Sequence, residues 1–251
     1  MKPLRIAILP ALLMLIGCTT SSNDSEAGSE DPWSGEVQVH GALRAMFHQE
    51  QTGTMVTLDT MLPDPQLYAV GALADLAGEI SVVGGKAYFS YPAAAEDTRT
   101  ETASRSDAGA TLLVATRVAA WSSATIANPI NFEELDEAIA ELAVAAGMNL
   151  DERFPFLLEG DFEDLQWHVI DGSRLVSGGS SHQDHLAASV KTRLDNASAT
   201  LVGFYSAGDQ GIFTHMGSRT HIHCVMDQPL ASGHVDFVTI PAGTVVKFPQ
   251  K

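Results

Sequence analysis

THIHCVMDQPLASGHVDF, residues 220–237, contains three of the nine histidines in the chain. The first seven residues are typical of a β-strand, on which side chains at positions i and i+2 lie on the same face. His221 and His223 therefore share a face, and DQPLASG is typical of a turn or loop. His234 then opens a second strand that returns beside the first. The stretch predicts two neighbouring strands that bring three imidazoles together.

Three neutral imidazoles on adjacent strands form a site for a divalent metal with open coordination positions. The spacing does not select among zinc, copper, iron and nickel, and zinc is the expected ion. The alternative is that the histidines are ordinary strand residues satisfied by local hydrogen bonds. His215 is a further possible member of the site. His182 and His185 lie in a Gly/Ser-rich stretch and are assigned to a loop outside it.

The first 18 residues, MKPLRIAILPALLMLIGC, have the basic start and short apolar run of a secretory signal. The run is too short to span a bilayer comfortably. Its end resembles a bacterial lipobox, which implies a signal peptide over residues 1–17 and a lipid on Cys18. We therefore expect an exported lipoprotein, anchored to the membrane on the periplasmic or cell-surface side. The alternative is an ordinary signal peptide with a chance cysteine.

Residues 18–34 are polar and acidic, and they are predicted to form a disordered tether. With Cys18 lipidated, Cys224 has no partner for an intramolecular disulfide. Cys224 follows His223 directly, so its side chain points to the opposite face of the strand. We expect a small buried apolar side chain there rather than a metal ligand.

The chain has 251 residues, of which 45% are hydrophobic, and this is enough to bury a core. Its 14 basic residues face 31 acidic ones, for a formal net charge of −17. This balance argues against a nucleic-acid partner and against an anionic membrane surface. The folded part is expected over residues 35–251, with an N-terminal part to about 150 and a metal-binding part from 151.

The pattern of the folded part predicts an α+β class, mostly β, with mixed or antiparallel sheets and few helices. MVTLDTML, ISVVGGKAYFSY and TLLVATRVAAW are predicted strands, and Gly84-Gly85 predicts a hairpin. Residues 93–110 are small and polar and are predicted to form a long exposed loop. One helix is predicted from Asn131, with Glu134 completing a capping box and Gly147 ending it.

Cupins also begin a metal site with H-x-H, and PAGTVVKF resembles their P-x-G segment. That likeness is partial, because no histidine follows Pro241 and the residue four positions after His223 is Asp227 rather than Glu. A cupin-like metalloprotein is therefore the weaker alternative.

A second resemblance rests on several colinear motifs over about residues 40–240. LVGFYS, HIH and SGHVDF follow one another, VGALADLAGEISVVGGKAYF precedes them with Glu79 in its middle, and LLEGDFEDL lies between. Together they resemble the acetolactate decarboxylases. The resemblance implies a homodimer and a metal held by His221, His223 and His234. It also implies that Glu79 lies near the metal, as an acid or base or as a substrate-positioning group.

The activity implied is decarboxylation of 2-acetolactate, or of a related 2-hydroxy-3-keto acid, to acetoin or its analogue. A metal that chelates both substrate oxygens would stabilise the charge left when CO₂ departs. The chain departs from the family pattern at two places: His168 occupies the position of an active-site Arg, and no Glu follows His234. Arg193 lies too close to LVGFYS to take that role. Thus His168 is a candidate catalytic residue, and an exported metal- or ligand-binding lipoprotein without activity is the alternative.

Overall fold

Two antiparallel β-sheets make up most of the structure, a computed structural model that describes residues 33–175 and 181–251. Every pairing between the named strands is antiparallel, and three α-helices accompany the sheets in the described ranges. The predicted fold class is therefore confirmed. No helix in these ranges is long and apolar enough to cross a membrane. The predicted signal peptide and Cys18 lie outside the described residues.

The first sheet is built from the N-terminal half of the chain and is accompanied by helix α1 (Leu43–Gln49). Its strands are β1 (Gln38–His40), β2 (Val56–Thr57), β3 (Leu67–Leu73), β4 (Glu79–Val83), β5 (Lys86–Ala93), β6 (Asp97–Ala103) and β7 (Gly109–Arg117). They lie in the order β1-β7-β3-β4-β5-β6, with β2 also paired to β7.

Strand β7 is apolar along its length because both faces of the first sheet are covered. Leu112 and Val114 contact the core shared with the second sheet, whereas Leu113 and Ala115 contact a smaller core on the opposite face. This follows from the period of two along a strand. A continuous apolar run is what a strand buried on both faces requires.

Two details of the first sheet differ from the prediction and one agrees with it. Gly84 and Gly85 connect β4 and β5 with φ values of 57° and 74°, as a tight hairpin turn requires. The long loop predicted over residues 93–110 is wrong, because β6 pairs with β5 as a polar edge strand. In MVTLDTML only two residues form a strand, and a short 3₁₀ turn follows.

The second sheet carries the C-terminal half and includes helices α2 (Leu135–Ala145) and α3 (His182–Ala188) in its connections. Its strands are β8 (Trp121–Thr125), β9 (Phe154–Val169), β10 (Val190–Tyr205), β11 (Thr220–Asp227), β12 (Leu230–Thr239) and β13 (Val245–Pro249). The order is β10-β11-β12-β9-β13-β8, and β10 also pairs with β9 along its length. Because of that extra pairing, the four strands β9, β10, β11 and β12 form a closed, hydrogen-bonded ring.

The predicted helix is present as a 3₁₀ turn followed by α2. Asn131 precedes it, but its side chain bonds the Glu134 side chain at 3.2 Å rather than capping a backbone N–H. The apolar face of α2 packs on the main core.

The fold also includes Trp33, a residue within the predicted tether. Its side chain is buried and its Nε1 donates to Thr116 Oγ1 at 3.2 Å.

Candidate metal centre

Two paired strands, β11 and β12, present the three histidines predicted to bind a metal. His223 on β11 lies directly opposite His234 on β12, and His221 lies two residues from His223. The predicted strand pair is present. The connection is shorter than predicted, because the residues ASG before His234 already pair with β11 and only residues 228–229 separate the two strands.

The spacing of the three imidazoles fits a shared metal ion. His221 Nε2 and His223 Nε2 lie 3.2 Å apart. The ring centre of His234 lies 4.9 Å from that of His221 and 5.6 Å from that of His223. Two imidazoles that bind one tetrahedral ion at about 2.0–2.1 Å place their nitrogens about 3.4 Å apart and their ring centres about 5 Å apart. The residues therefore fit a divalent metal.

Unsatisfied nitrogens support the same assignment. Both ring nitrogens of His234 are buried and have no hydrogen-bond partner. A buried polar group without a partner is destabilising, so an ion on one of these nitrogens would remove a cost that the metal-free ring carries.

The burial of His221 and His223 keeps their rings neutral. Burial lowers the pKa of both far below the usual range, and the neighbouring histidines lower it further. A neutral imidazole has one nitrogen lone pair free to bind a metal. The site thus presents uncharged nitrogen donors at ordinary pH.

The first sheet supplies a group that orients one of the ligands. Ser81 Oγ on β4 lies 3.0 Å from His223 Nδ1 and 2.7 Å from Ser232 Oγ. If Nε2 of His223 binds the metal, Nδ1 carries the ring proton and donates a hydrogen bond to Ser81 Oγ. Partners of this kind fix the orientation of metal-binding histidines.

Glu79 lies on β4 two residues before Ser81, so both side chains face the second sheet. It is only 5% exposed, its Oε1 accepts from the Ile170 amide at 3.2 Å, and its Oε2 lies 3.8 Å from His223 Nε2. Burial, together with the charge of Asp236, raises the pKa of this carboxyl well above its usual range. The structure therefore places a buried carboxyl with a raised pKa beside the histidines.

His168 extends the histidine row on β9. It lies directly opposite His234 in the pairing of β9 with β12, and the two ring centres are 4.8 Å apart. Its Nδ1 lies 2.7 Å from Asp236 Oδ1. The Asp236 carboxylate at Nδ1 fixes the plane of the His168 ring, so that Nε2 points away from Asp236.

His182 and His185 were missed by the interpretation of SHQDH as a loop, and both line the same cavity as the other histidines. That segment forms α3, which begins with a capping box between Ser181 and Asp184. His182 on α3 and His215 contact each other with ring centres 4.2 Å apart. The S-x-x-D spacing is a helix-start signal that could have identified α3 from the sequence. Asp236 was also missed, although it shares the alternation of His234.

These groups surround one cavity with an apolar wall. Glu79, His168, His221 and His234 line it together with His182, His185 and His215, and the apolar wall comprises Leu43, Met46, Phe47, Leu76, Leu112, Ile170 and Leu186. Among the described residues that line this cavity there is no arginine or lysine. Arg193 is exposed and pairs with Asp164 at 2.7 Å instead.

Cys224 lies on β11 beside the site without facing it. The side chain is fully buried in the main core, and burial raises the pKa of its thiol. It is therefore the buried apolar residue that the strand alternation predicts.

The same overall fold occurs in solved structures of acetolactate decarboxylases. The enzyme from Bacillus subtilis strain 168 is 16% identical, with a TM-score of 0.65 over 86% of this chain and 85% of that one. The enzyme from Bacillus subtilis subspecies spizizenii is 16% identical, with a TM-score of 0.64 and 86% of each chain covered. A Staphylococcus aureus protein of unknown function, similar to alpha-acetolactate decarboxylase, is 14% identical, with a TM-score of 0.60 over 86% of this chain and 85% of that one.

No curated protein matches the chain in sequence. The family model of alpha-acetolactate decarboxylase, however, matches residues 49–248, which include Glu79, Asp236 and every histidine of the site and cover all the strands except β1 and the last residue of β13. The chain therefore belongs to the alpha-acetolactate decarboxylase family.

Proposed function

We propose that the protein is a metal-dependent decarboxylase that converts 2-acetolactate, or a related 2-hydroxy-3-keto acid, into acetoin or its analogue. The observation that carries the proposal is the set of neutral imidazoles at metal-binding spacing, His221 Nε2 and His223 Nε2 being 3.2 Å apart, beside a buried carboxyl. Family membership supports the reaction class.

His221, His223 and His234 would hold the ion, which we propose to be zinc because neutral imidazoles are common zinc ligands. When bound, a divalent ion acts as a Lewis acid on the hydroxyl and carbonyl oxygens of a hydroxy-keto acid. The chain contributes the orientation of these ligands through Ser81.

Glu79 is the proposed proton donor. As CO₂ leaves, the electrons of the broken C–C bond remain on the substrate, and one carbon must take up a proton. The burial that raises the pKa of Glu79 keeps a proton on this carboxyl until that step. Glu79 then regains its proton from solvent, and the product leaves as a neutral hydroxyketone.

His168 is the proposed second residue that acts on the substrate. Asp236 holds Nδ1, so Nε2 is the atom available to a substrate oxygen in the cavity that His168 lines. The apolar wall formed by Met46, Phe47 and its neighbours excludes water from the same space, which strengthens polar interactions there.

One observation favours a second candidate function, an exported metal- or ligand-binding lipoprotein without activity. No fixed cation lines the described part of the cavity, although the substrate is a carboxylate. Arg provides a permanent, bidentate partner for carboxylates that His does not match. A protein that keeps the metal without the reaction would show this combination.

An acetoin assay separates the two functions. The full chain, solubilised in detergent and loaded with Zn²⁺, is incubated with racemic acetolactate, and acetoin is measured against the spontaneous rate. We expect formation above that rate, and we expect Glu79→Gln and His168→Ala to lower it while Zn²⁺ remains bound at His221 and His223. Bound metal with no acetoin above background would favour the binding protein.

We also propose that the protein is exported and anchored through a lipid on Cys18, and that it forms a homodimer. The lipobox-like sequence before Cys18 supports the first and the family resemblance supports the second. Cys18→Ser should release the protein from the membrane fraction, and retention there would contradict the anchor. Sedimentation of the purified chain tests the dimer.

A further inference from the structure

A second group of metal-ligating atoms lies beside the His221–His223 pair. It comprises His168, His234 and Asp236, whose donor atoms all lie within 4.8 Å of one another. Asp236 Oδ1 lies 2.7 Å from His168 Nδ1 and 3.8 Å from His234 Nδ1. We propose that these three residues form a second cation position, the outer position, next to the inner one formed by His221, His223 and His234.

Strand pairing builds this group on one face. His168 and His234 are opposite each other on β9 and β12. The register shifts between Val235 and Phe237, so Asp236 is the extra residue of a bulge. A bulge changes the direction in which a strand side chain points, and bulges are frequent next to functional sites. Here the bulge brings a carboxylate against the two imidazoles.

Both ring nitrogens of His234 lack a hydrogen-bond partner, so the ring has room for a bound ion on each of them. A single ion at the inner position satisfies only one of them. Nδ1 lies 3.8 Å from Asp236 Oδ1, which is too long for a hydrogen bond and short enough for both atoms to bind one ion at about 2.1 Å. In this arrangement His234 bridges the two ions, and its ring proton is released to solvent when the second ion binds.

The donor set defines the class of ion and its open positions. Two imidazoles and one carboxylate are a common set for divalent transition metals, and they leave positions for water or a ligand. Asp236 and His234 border a second cavity of about 210 Å³, lined also by Phe132, Ser218 and Ile222. Small oxygen ligands would reach the outer position from this side. The inference rests on the proposed inner centre, and it makes His168 a ligand of the outer ion in place of the direct substrate contact proposed above.

Metal stoichiometry tests the outer position with the untagged full chain in detergent. The protein is stripped with a chelator, titrated with Zn²⁺, desalted and analysed for bound metal. We expect two equivalents for the wild type and one for Asp236→Asn, which keeps the shape of the side chain. His168→Asn should also bind one. Asp161→Asn removes an exposed charge from β9 and is the matched control, with two equivalents expected.

The other outcomes are equally decisive. One equivalent in the wild type that Asp236→Asn leaves unchanged, and that His223→Ala removes, overturns the outer position and leaves the proposed function standing. Two equivalents that persist in both Asp236→Asn and His168→Asn also overturn it. No bound Zn²⁺ in the wild type overturns the inner centre as well. Circular dichroism of each variant checks that the chain is folded.

Discussion

The histidines of the cavity fall into two groups that differ in how the chain holds them. His168, His221, His223 and His234 lie on three hydrogen-bonded strands, and the pairing register sets the position of each ring. His182 and His185 lie on the short helix α3, and His215 lies in the segment before β11, outside any strand or helix. The strand group is the more buried of the two.

The difference extends to their partners. In the strand group, His223 and His168 each have one nitrogen held by another side chain, Ser81 and Asp236 respectively. The rings of His182 and His215 contact each other and the aromatic ring of Phe47 contacts His182. Second partners orient metal ligands. We infer that the strand group binds metal and that the other group shapes the cavity wall.

The comparison is tested most strongly by the same substitution in each group. His223→Ala removes one of the nitrogens proposed to bind the ion. We therefore expect the affinity for Zn²⁺ to fall by more than about 100-fold, which exceeds the loss typical of removing a residue that only hydrogen-bonds to a ligand. His215→Ala should change the affinity for Zn²⁺ by no more than about threefold, because substitutions away from a bound group usually have small effects. Competition with a chelating dye measures both, and equal losses would contradict the division into two groups.

A substitution in the strand backbone tests the role of register. A Cβ on Gly233 would lie 2.5 Å from the carbonyl oxygen of His168 and 2.7 Å from Trp167 Cδ1. Gly233→Ala must therefore push β12 away from β9, and we expect the free energy of unfolding to fall by about 2–3 kcal/mol. Urea denaturation followed by tryptophan fluorescence measures the change.

Gly208→Ala is the control for this experiment, because a Cβ there meets nothing within 4 Å. It should change the free energy of unfolding by less than about 0.5 kcal/mol. A Gly233→Ala protein as stable as the wild type would show that the strands can separate without cost, and that register does not hold the strand group in place.

The orienting partner of His223 provides the next test. Ser81→Ala removes the hydroxyl that bonds His223 Nδ1. Residues that hydrogen-bond to metal-binding histidines typically contribute about 10–100-fold to metal affinity. We expect a Zn²⁺ affinity lower by that factor. Ser90→Ala is the matched control, since Ser90 is equally buried on β5 and its Oγ bonds Thr100 Oγ1, at 2.8 Å, rather than a histidine. Equal affinities in the two variants would remove Ser81 from the site.

Sequence reasoning brought His221, His223 and His234 together because they follow a local rule. The i, i+2 spacing of His221 and His223 fixes a shared face as soon as the segment is a strand. His234 followed from the same short stretch. Glu79 and His168 came from the family resemblance, since nothing in their own segments shows which distant strand they face. Their closeness depends on how β4 and β9 pack, and this is a long-range property of the fold.

The missed features also have physical reasons. The polar edge strand β6 borders one neighbour only, so it lacks the apolar alternation of a buried strand. Asp236 shares the alternation of His234, but its position against His168 depends on the bulged pairing of β12 with β9, which the sequence does not mark. His182 was placed in a loop because the surrounding glycines and serines outweighed the capping signal of α3. The errors at β6 and Asp236 concern residues whose environment is set by tertiary packing, whereas the error at His182 concerns a local signal.

The smallest expected effect concerns how the segment before His215 is held. Asp209 accepts two hydrogen bonds from Arg153, at 2.6 Å and 2.8 Å, and these lower the pKa of its carboxyl. A carboxyl with a lowered pKa stabilises the fold above its unfolded pKa, about 3.9, and loses that contribution as the pH falls through the folded value. Because Arg153 is partly exposed, we expect about 1 kcal/mol.

Asp209→Asn should therefore be less stable than the wild type by about 1 kcal/mol at pH 6. The difference should be smaller at about pH 3, because the contribution of the wild-type carboxylate is lost progressively as the pH falls from the unfolded pKa, about 3.9, toward the lowered folded value. Urea denaturation at the two pH values measures it, with the exposed Asp161→Asn as a control that should match the wild type at both. The absence of a difference at pH 6 would mean that the backbone bonds of Ile212 and Phe213 to the Asp209 carbonyl, which Asn keeps, hold the segment without help from the charge. His215 would then be as firmly placed as the strand histidines, and the contrast between the two groups would narrow to their partners alone.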